Sequence, residues 1–256
     1  MTKPEAELET SYVKNGSITK RTIIAFVVFV ALGAGAWIAY QSILSQPKIA
    51  GNTQTPLRKV LQFNEAISVA GFDSNKLAKE YPISAAVKKV RVNGIDGLRS
   101  PLDTAAWQLN VVKGTGDTLH LTMDDIRKLP KKDLVFDFKC IEGWNQVTHW
   151  AGVPLKTFME HYGLTSLKQL KYMGLSTPDN KYYVGIDMPS VLHPQTILCY
   201  EMNGKPLPLN QGYPLRLIIP VKYGIKHLKR IGTMYFSNEK PPDFWAERGY
   251  DYFAGH

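Results

Sequence analysis

The chain has 256 residues, and its 31 Lys plus Arg against 22 Asp plus Glu leave a net charge of +9, which excludes an acidic disordered segment. With 44% apolar and 11% aromatic residues it has enough to bury a real core, as one large folded domain or two small ones. Two cysteines, Cys140 and Cys199, are too few for a disulfide framework and lack the paired spacing of a structural zinc site.

From Thr22 to Gln46 no residue is charged. That run is long enough to cross a hydrocarbon layer of about 30 Å as a helix, for which about 20 apolar residues suffice. The expectation is a short N-terminal cytoplasmic segment over residues 1–21 and an uncleaved transmembrane anchor over 22–46. A cleaved signal peptide is the alternative. Its apolar region spans about 7–15 residues before a small-x-small site, so the run is too long, although Ala34 and Ala36 keep the option open. Basic residues stand on both sides of the span, Lys14, Lys20 and Arg21 before it and Lys48, Arg58 and Lys59 after it, so charge does not orient it. Thr19-Lys20-Arg21-Thr22-Ile23-Ile24 resembles a twin-arginine export signal with Lys in place of the first Arg. That resemblance implies export of a protein already folded, often around a cofactor.

Residues 47–86 read as a linker and lead-in segment, opening with the polar, Pro-bounded PKIAGNTQTP, and residues 87–256 as the folded domain. Residues 1–47 hold four basic and three acidic side chains, so the net charge belongs to the remainder. VKKVRV, WQLNVV, TLHLT, DLVFDFKC, YYVGI, TILCYEM and YPLRLIIPV are rich in β-branched and aromatic residues and read as strands. Thr122 with Asp125 marks a helix start before DDIRKLP, and Pro154 and Gly163 bracket a second helix over VPLKTFMEHYG. Asn203-Gly204 reads as a tight hairpin turn. The sum is an α+β fold in which strand predominates.

Two stretches carry chemistry. Cys140 ends an alternating strand and runs into IEGW, where Gly143 turns the chain and Trp144 supplies an aromatic wall; a thiol at the edge of a rigid sheet is well placed to meet a ligand. The ordinary reading of a free cysteine is a small buried hydrophobe. In GYPLRLIIPVKYGIKHLKRI, Arg216 opens an apolar strand, and Lys222, Lys226, His227, Lys229 and Arg230 surround Gly224. Lys226, Lys229 and Arg230 share a face if a helix starts here, and cations at a helix start suit a phosphate. A solvated basic face is the ordinary alternative.

LVFDFKCIEGWNQVTHWAGVPLKTFME, with CYEMNGKPLPLNQGYPLRLIIPVKYGIKHLKRI about sixty residues on, resembles the molybdopterin-binding domain of the sulfite oxidase superfamily. The resemblance runs from about Val87 to the C-terminus and is to the periplasmic branch that holds methionine-sulfoxide reductase catalytic subunits. It implies a sulfite-oxidase-type domain with mixed sheets, preceded by one N-terminal transmembrane helix. It also implies a molybdenum-molybdopterin cofactor with one pterin and no added nucleotide. By position Cys140 is the thiolate ligand of molybdenum, with Trp144 beside it in the catalytic turn. Arg216, His227 and Lys229 fall where the family binds pterin or phosphate, with backbone N–H groups around Leu228 contributing. Thr177 and Asn93 match pterin-contacting positions, though Thr177 before Pro178 is also a plain turn residue. Gln211 stands where relatives carry Asn or His. Sulfite oxidases place an Arg shortly after the ligand Cys, and IEGWNQ holds none, so the resemblance implies a reductase of neutral S-oxides or N-oxides.

No C-x-x-C-H haem attachment occurs in the sequence. Electrons are therefore expected from a haem-containing membrane protein or a cytochrome, with a small-molecule oxide as substrate. The expected location is the bacterial inner membrane, single-pass, with the catalytic domain in the periplasm. His149, His161 and His193 are scattered without ligand spacing, Cys199 reads as core, and Trp107, Trp150 and Trp245 read as packing. A Cys140–Cys199 disulfide is the option that excludes metal ligation. Two other classes remain: a catalytically inert accessory subunit that keeps the fold, and a basic module for nucleic acid or anionic lipid. An anchored exported domain argues against nucleic acid.

Overall fold

Residues 15–49, 53–114 and 116–256 are described by a computed structural model. The chain divides into two units, one of residues up to Pro47 with Gln54–Pro56, the other of Lys48–Thr53 and Leu57–His256. The first is built on helix α1, Asn15–Leu44, the one helix among the described residues long and apolar enough to cross a membrane. It starts before Lys20 and Arg21, so part of the segment expected to precede the span is helical too.

The stretch read as linker and lead-in carries a further helix, α2, Thr55–Ala70, which belongs to the second unit from Leu57 on. Eight of the strands that follow form the body of two sheets: β1 Leu109–Val112, β2 Thr118–Leu121, β3 Lys132–Lys139, β4 Asn145–Pro154, β5 Tyr172–Ser176, β6 Tyr183–Asp187, β7 Ile197–Met202, and, after the short β8 Lys205–Pro206 and β9 Arg216–Ile218, β10 Thr233–Ser237. Sheet one runs β8-β7-β4-β3, with β9 also paired to β7. Sheet two runs β2-β1-β10-β5-β6 and is mixed, because β10 lies parallel to β1 and antiparallel to β5. Short helices α3 Met123–Arg127, α4 Leu155–His161 and α5 Met188–Val191 complete an α+β fold, as expected. Thr122 and Asp125 form a reciprocal capping box at α3, and Asn203 and Gly204 turn the β7–β8 hairpin at φ of 52° and 70°.

Three departures from the sequence reading have physical causes. VKKVRV is not a strand: Glu80 and Tyr81 cover the free edge of β3, and Val87 then donates to the Val147 carbonyl at 3.0 Å, so residues 87–92 cross the sheet as irregular chain. β4, β5 and β10 went unread. β4 is buried without alternation through most of its length, so its sequence carries no period of two. The basic stretch after Pro220 holds only a three-residue 3-10 turn, Gly224–Lys226, and its cations diverge. Lys226 is drawn inward to Asp243 at 2.5 Å, while Arg230, at φ 58°, donates to the Ser100 carbonyl.

The larger core lies between the two sheets, where Val153, Leu198 and Leu217 of sheet one meet sheet two and the short helices; the smaller, around Phe136, Trp150 and Cys199, lies on sheet one. Register in sheet one positions the site. A bulge between Ala151 and Gly152 brings Gly152 opposite Cys199, and Cys199 is opposite Arg216 on its other side. A Cβ at Gly152 would meet the Leu198 carbonyl oxygen, so this approach needs glycine.

Candidate active site

The β3–β4 hairpin delivers Cys140. Its backbone N–H donates to the Trp144 carbonyl at 2.9 Å, its carbonyl accepts from Gly143 at 3.0 Å, and Gly143 takes φ 86° to close the turn. The thiol therefore sits at the first position beyond a fully paired strand. It faces a cavity of about 310 Å³, within the size range of small-molecule sites.

Seven of the nine residues singled out from the sequence line that one cavity: Asn93, Cys140, Trp144, Gln211, Arg216, His227 and Lys229. The Asn93 side-chain amide is 3.5 Å from the Cys140 sulfur. Arg216 is buried, with its guanidinium 4.6 Å from the Trp150 ring and Nη1 donating to both the backbone and side-chain oxygens of Gln211 at 3.0 Å. Lys229 Nζ donates to the carbonyls of Asn93 at 2.5 Å and Gly94 at 3.1 Å. Trp144 lies under the Arg91 guanidinium at 4.7 Å and stacks on Phe138.

Two residues do not line the cavity. Thr177 is fully buried; its hydroxyl donates to Asp179 at 2.7 Å and accepts from the Tyr182 N–H, as a turn residue does. Leu228 is core, and its N–H donates to the Lys226 carbonyl at 3.0 Å.

Three cations, Arg91, Arg216 and Lys229, face two carboxylates, Asp96 and Glu142, in the cavity lining. Burial, followed by the Arg216 charge, holds the Lys229 amine down to about 7 and the His227 imidazole at about 3. Burial alone lowers Arg216 to about 10. No ion pair reaches Arg216 or Lys229 among the described residues. Burial also raises the Cys140 thiol, opposed by hydrogen bonds from the Glu142 backbone and the Asn93 amide.

Whether these residues suit an anionic cofactor is decided by the buried polar atoms that lack a partner. Arg216 Nε and His227 Nδ1 are two of these. His227 Nε2 lies 3.1 Å from the Lys222 carbonyl and must carry the ring proton, which leaves Nδ1 without a bond. Unsatisfied polar atoms at a cavity with a buried guanidinium, Arg216, and a half-buried amine, Lys229, are costly unless a ligand completes them. A thiol together with the Arg216 and Lys229 cations in one cavity fits a group that carries both a soft metal-binding part and a phosphate. Both cysteines are free, and the described residues hold no cluster of three His, Cys, Asp or Glu for another metal.

Sequence reading missed Arg91, Phe138, Trp150, Tyr182, Trp245 and Tyr250, which also line the cavity. Trp150 and Trp245 read as packing, and Trp150 does pack, but the Trp150 ring also underlies Arg216. Arg91 gave no local signal, because it reaches Trp144 from an irregular segment.

The chain belongs to the oxidoreductase molybdopterin-binding domain family of the sulfite oxidase superfamily, matched over residues 97–245. It is a molybdopterin-dependent oxidoreductase. It is 34% identical over 207 residues to an Azospira oryzae protein provisionally named protein-methionine-sulfoxide reductase subunit YedZ1, covering 80% of this chain and 78% of that one. It is 28% identical to the protein-methionine-sulfoxide reductase catalytic subunit MsrP of Campylobacter jejuni, covering 88% and 78%. Among solved structures, the sulfane dehydrogenase SoxCD of Paracoccus pantotrophus aligns with a TM-score of 0.49 and 19% identity, over 55% of this chain and 40% of that one.

Proposed function

We propose that this chain is a membrane-anchored, periplasm-facing reductase of S-oxides that holds one molybdenum-pterin group, with Cys140 as its thiolate ligand. The net conversion is a sulfoxide plus two electrons and two protons to a thioether and water. When bound, the molybdenum-pterin group supplies the two-electron chemistry of oxygen-atom transfer. Cys140 contributes a soft thiolate from a rigid strand end, and the Asn93 amide steadies that sulfur. Arg216 and Lys229 neutralise the phosphate end, and Gln211 fixes the Arg216 fork by accepting from Nη1. Trp144, Phe138 and Ile141 form an apolar wall that keeps water from the sulfur, with the Arg91 cation at its edge. α1 is the proposed anchor, and a haem-containing membrane protein or a cytochrome the proposed electron donor.

The observation that carries this reading is the convergence on one cavity of a strand-end thiol with the buried Arg216 and the half-buried Lys229, neither in an ion pair among the described residues, together with relatives named as methionine-sulfoxide reductase subunits. The test is molybdenum by elemental analysis, beside sulfoxide-dependent oxidation of a reduced dye, on the full chain and on Cys140→Ser from a host that makes the cofactor. Near-stoichiometric metal and turnover in the parent, with turnover abolished in the variant, are expected. Unchanged turnover in Cys140→Ser would exclude the thiolate role, and no metal in either protein would favour an accessory subunit.

A further inference from the structure

Helix α2 turns its polar side to the domain and its apolar side outward. Arg58, Leu61 and Glu65 follow i, i+3, i+7 spacing and form the docked face. Arg58 is buried and donates to the carbonyls of Ala246 and, at 3.3 Å, Tyr250; Glu65 accepts from Lys240 at 2.6 Å. Val60, Phe63 and Ile67 repeat that spacing on the opposite face, where they are 57%, 65% and 57% exposed, and Leu57 extends the stripe at 45%. A surface helix normally does the reverse, burying its apolar stripe against the core.

The chain itself limits what covers this stripe. Residues 45–54 join α1 to α2, and an extended chain spans at most about 3.5 Å per residue, so α2 begins within about 35 Å of the end of α1. Near that end Trp37 and Tyr40 stand exposed with ring centroids 6.0 Å apart, the residue types that mark a membrane–water boundary.

We propose that α2 is an interfacial helix whose Val60, Phe63 and Ile67 face lies in the headgroup region of the bilayer that α1 spans. This rests on the anchor reading of α1. It has a consequence for the site, because Arg58 grips the backbone at Ala246 and Tyr250 while Trp245 and Tyr250 line the Cys140 cavity. The lipid-bound helix then ties that wall of the cavity to the membrane surface.

The test uses the full chain in lipid nanodiscs with single substitutions Phe63→Cys, Ile67→Cys, Gln62→Cys on a lateral face of α2, and Val28→Cys within α1. Each is labelled with an environment-sensitive fluorophore, and the signal of the unsubstituted chain is subtracted for the two native thiols. The expected result at Phe63 and Ile67 is a blue shift, quenching by lipids brominated on their chains, and shielding from aqueous iodide, with the opposite at Gln62. Iodide quenching at Phe63 and Ile67 equal to that at Gln62 would overturn the proposal. Shielding from iodide without lipid quenching would also overturn it, in favour of a protein covering such as a second copy. Val28 separates the two readings. Loss of lipid quenching there, with quenching kept at Phe63, removes the anchor and leaves the α2 contact standing; the reverse pattern removes only the α2 contact.

Discussion

The Asn93 side-chain amide points at the Cys140 sulfur from 3.5 Å, while the carbonyl of the same residue accepts from Lys229 at 2.5 Å. One residue on irregular chain thus contacts both the thiol and the Lys229 amine of the cavity. Asn93→Ala removes one modest hydrogen bond, worth about 0.5–1.5 kcal/mol. The expected outcome is a two- to tenfold weaker hold on the cofactor, read as molybdenum remaining after dialysis, with an unchanged circular dichroism spectrum.

Arg216 offers the opposite balance. It is buried, no ion pair reaches it among the described residues, and Nε lacks a partner. A buried charge without a counter-ion is a burden on the empty protein, and apolar replacement of buried ionic groups is often stabilising by about 1–4 kcal/mol. Arg216→Met should therefore raise the melting temperature of protein made without cofactor and abolish cofactor retention. A lower melting temperature would mean that the bonds to Gln211 outweigh the desolvation cost.

The pH response follows from Lys229, whose amine is held at about 7 by burial and by Arg216. Its folded value lies below the unfolded one, so the cofactor-free fold gains stability as pH rises from about 7 toward the ordinary lysine range. Anion binding runs the other way, because the phosphate needs the charged amine. Cofactor retention should fall by up to about tenfold per pH unit above 7. Lys229→Arg keeps its charge and should flatten that profile.

Lys226 and Asp243 form a pair in which both side chains are almost wholly buried, with Nζ 2.5 Å from Oδ2. Asp243 also accepts from the Ala246 N–H at 2.9 Å and the Gly185 N–H at 3.2 Å, so it anchors the segment that brings Trp245 to the cavity. Asp243→Ala strands a buried ammonium and should cost about 3–5 kcal/mol. Adding Lys226→Met should recover part of the loss in thermal melting.

Arg91 lies over the exposed side of Trp144, where a cation–π contact is worth about 0.5–1 kcal/mol. If its charge also meets the substrate oxygen, Arg91→Gln should raise KM for a small sulfoxide two- to fivefold and leave kcat nearly unchanged. The absence of an Arg in IEGWNQ therefore says less about the mouth of the site than it first suggests, because the fold brings a cation from upstream.

The features legible in the sequence are those whose causes lie within a few residues. The capping box at Thr122 and Asp125, the left-handed turn at Asn203-Gly204, the alternation that carries DLVFDFK to Cys140, and the uncharged run of α1 all belong to this kind. The resemblance to the family also named seven residues that the fold gathers at one cavity, six of them within its two strings and Asn93 upstream of both. Local pattern could not show which cations face it. Lys226 and Lys229 are three apart in the chain, yet Asp243 claims the first and the carbonyls of Asn93 and Gly94 orient the second. Nor could it show that Thr177 turns away, that residues 87–92 cross the sheet instead of joining it, or that the docked face of α2 is the polar one. Propensity, caps and hydrophobic period are short-range and are written in order along the chain. The side of a cavity to which a buried charge points depends on contacts more than a hundred residues apart, such as Arg58 with Ala246 or Lys229 with Asn93, and those exist only once the sheets have packed.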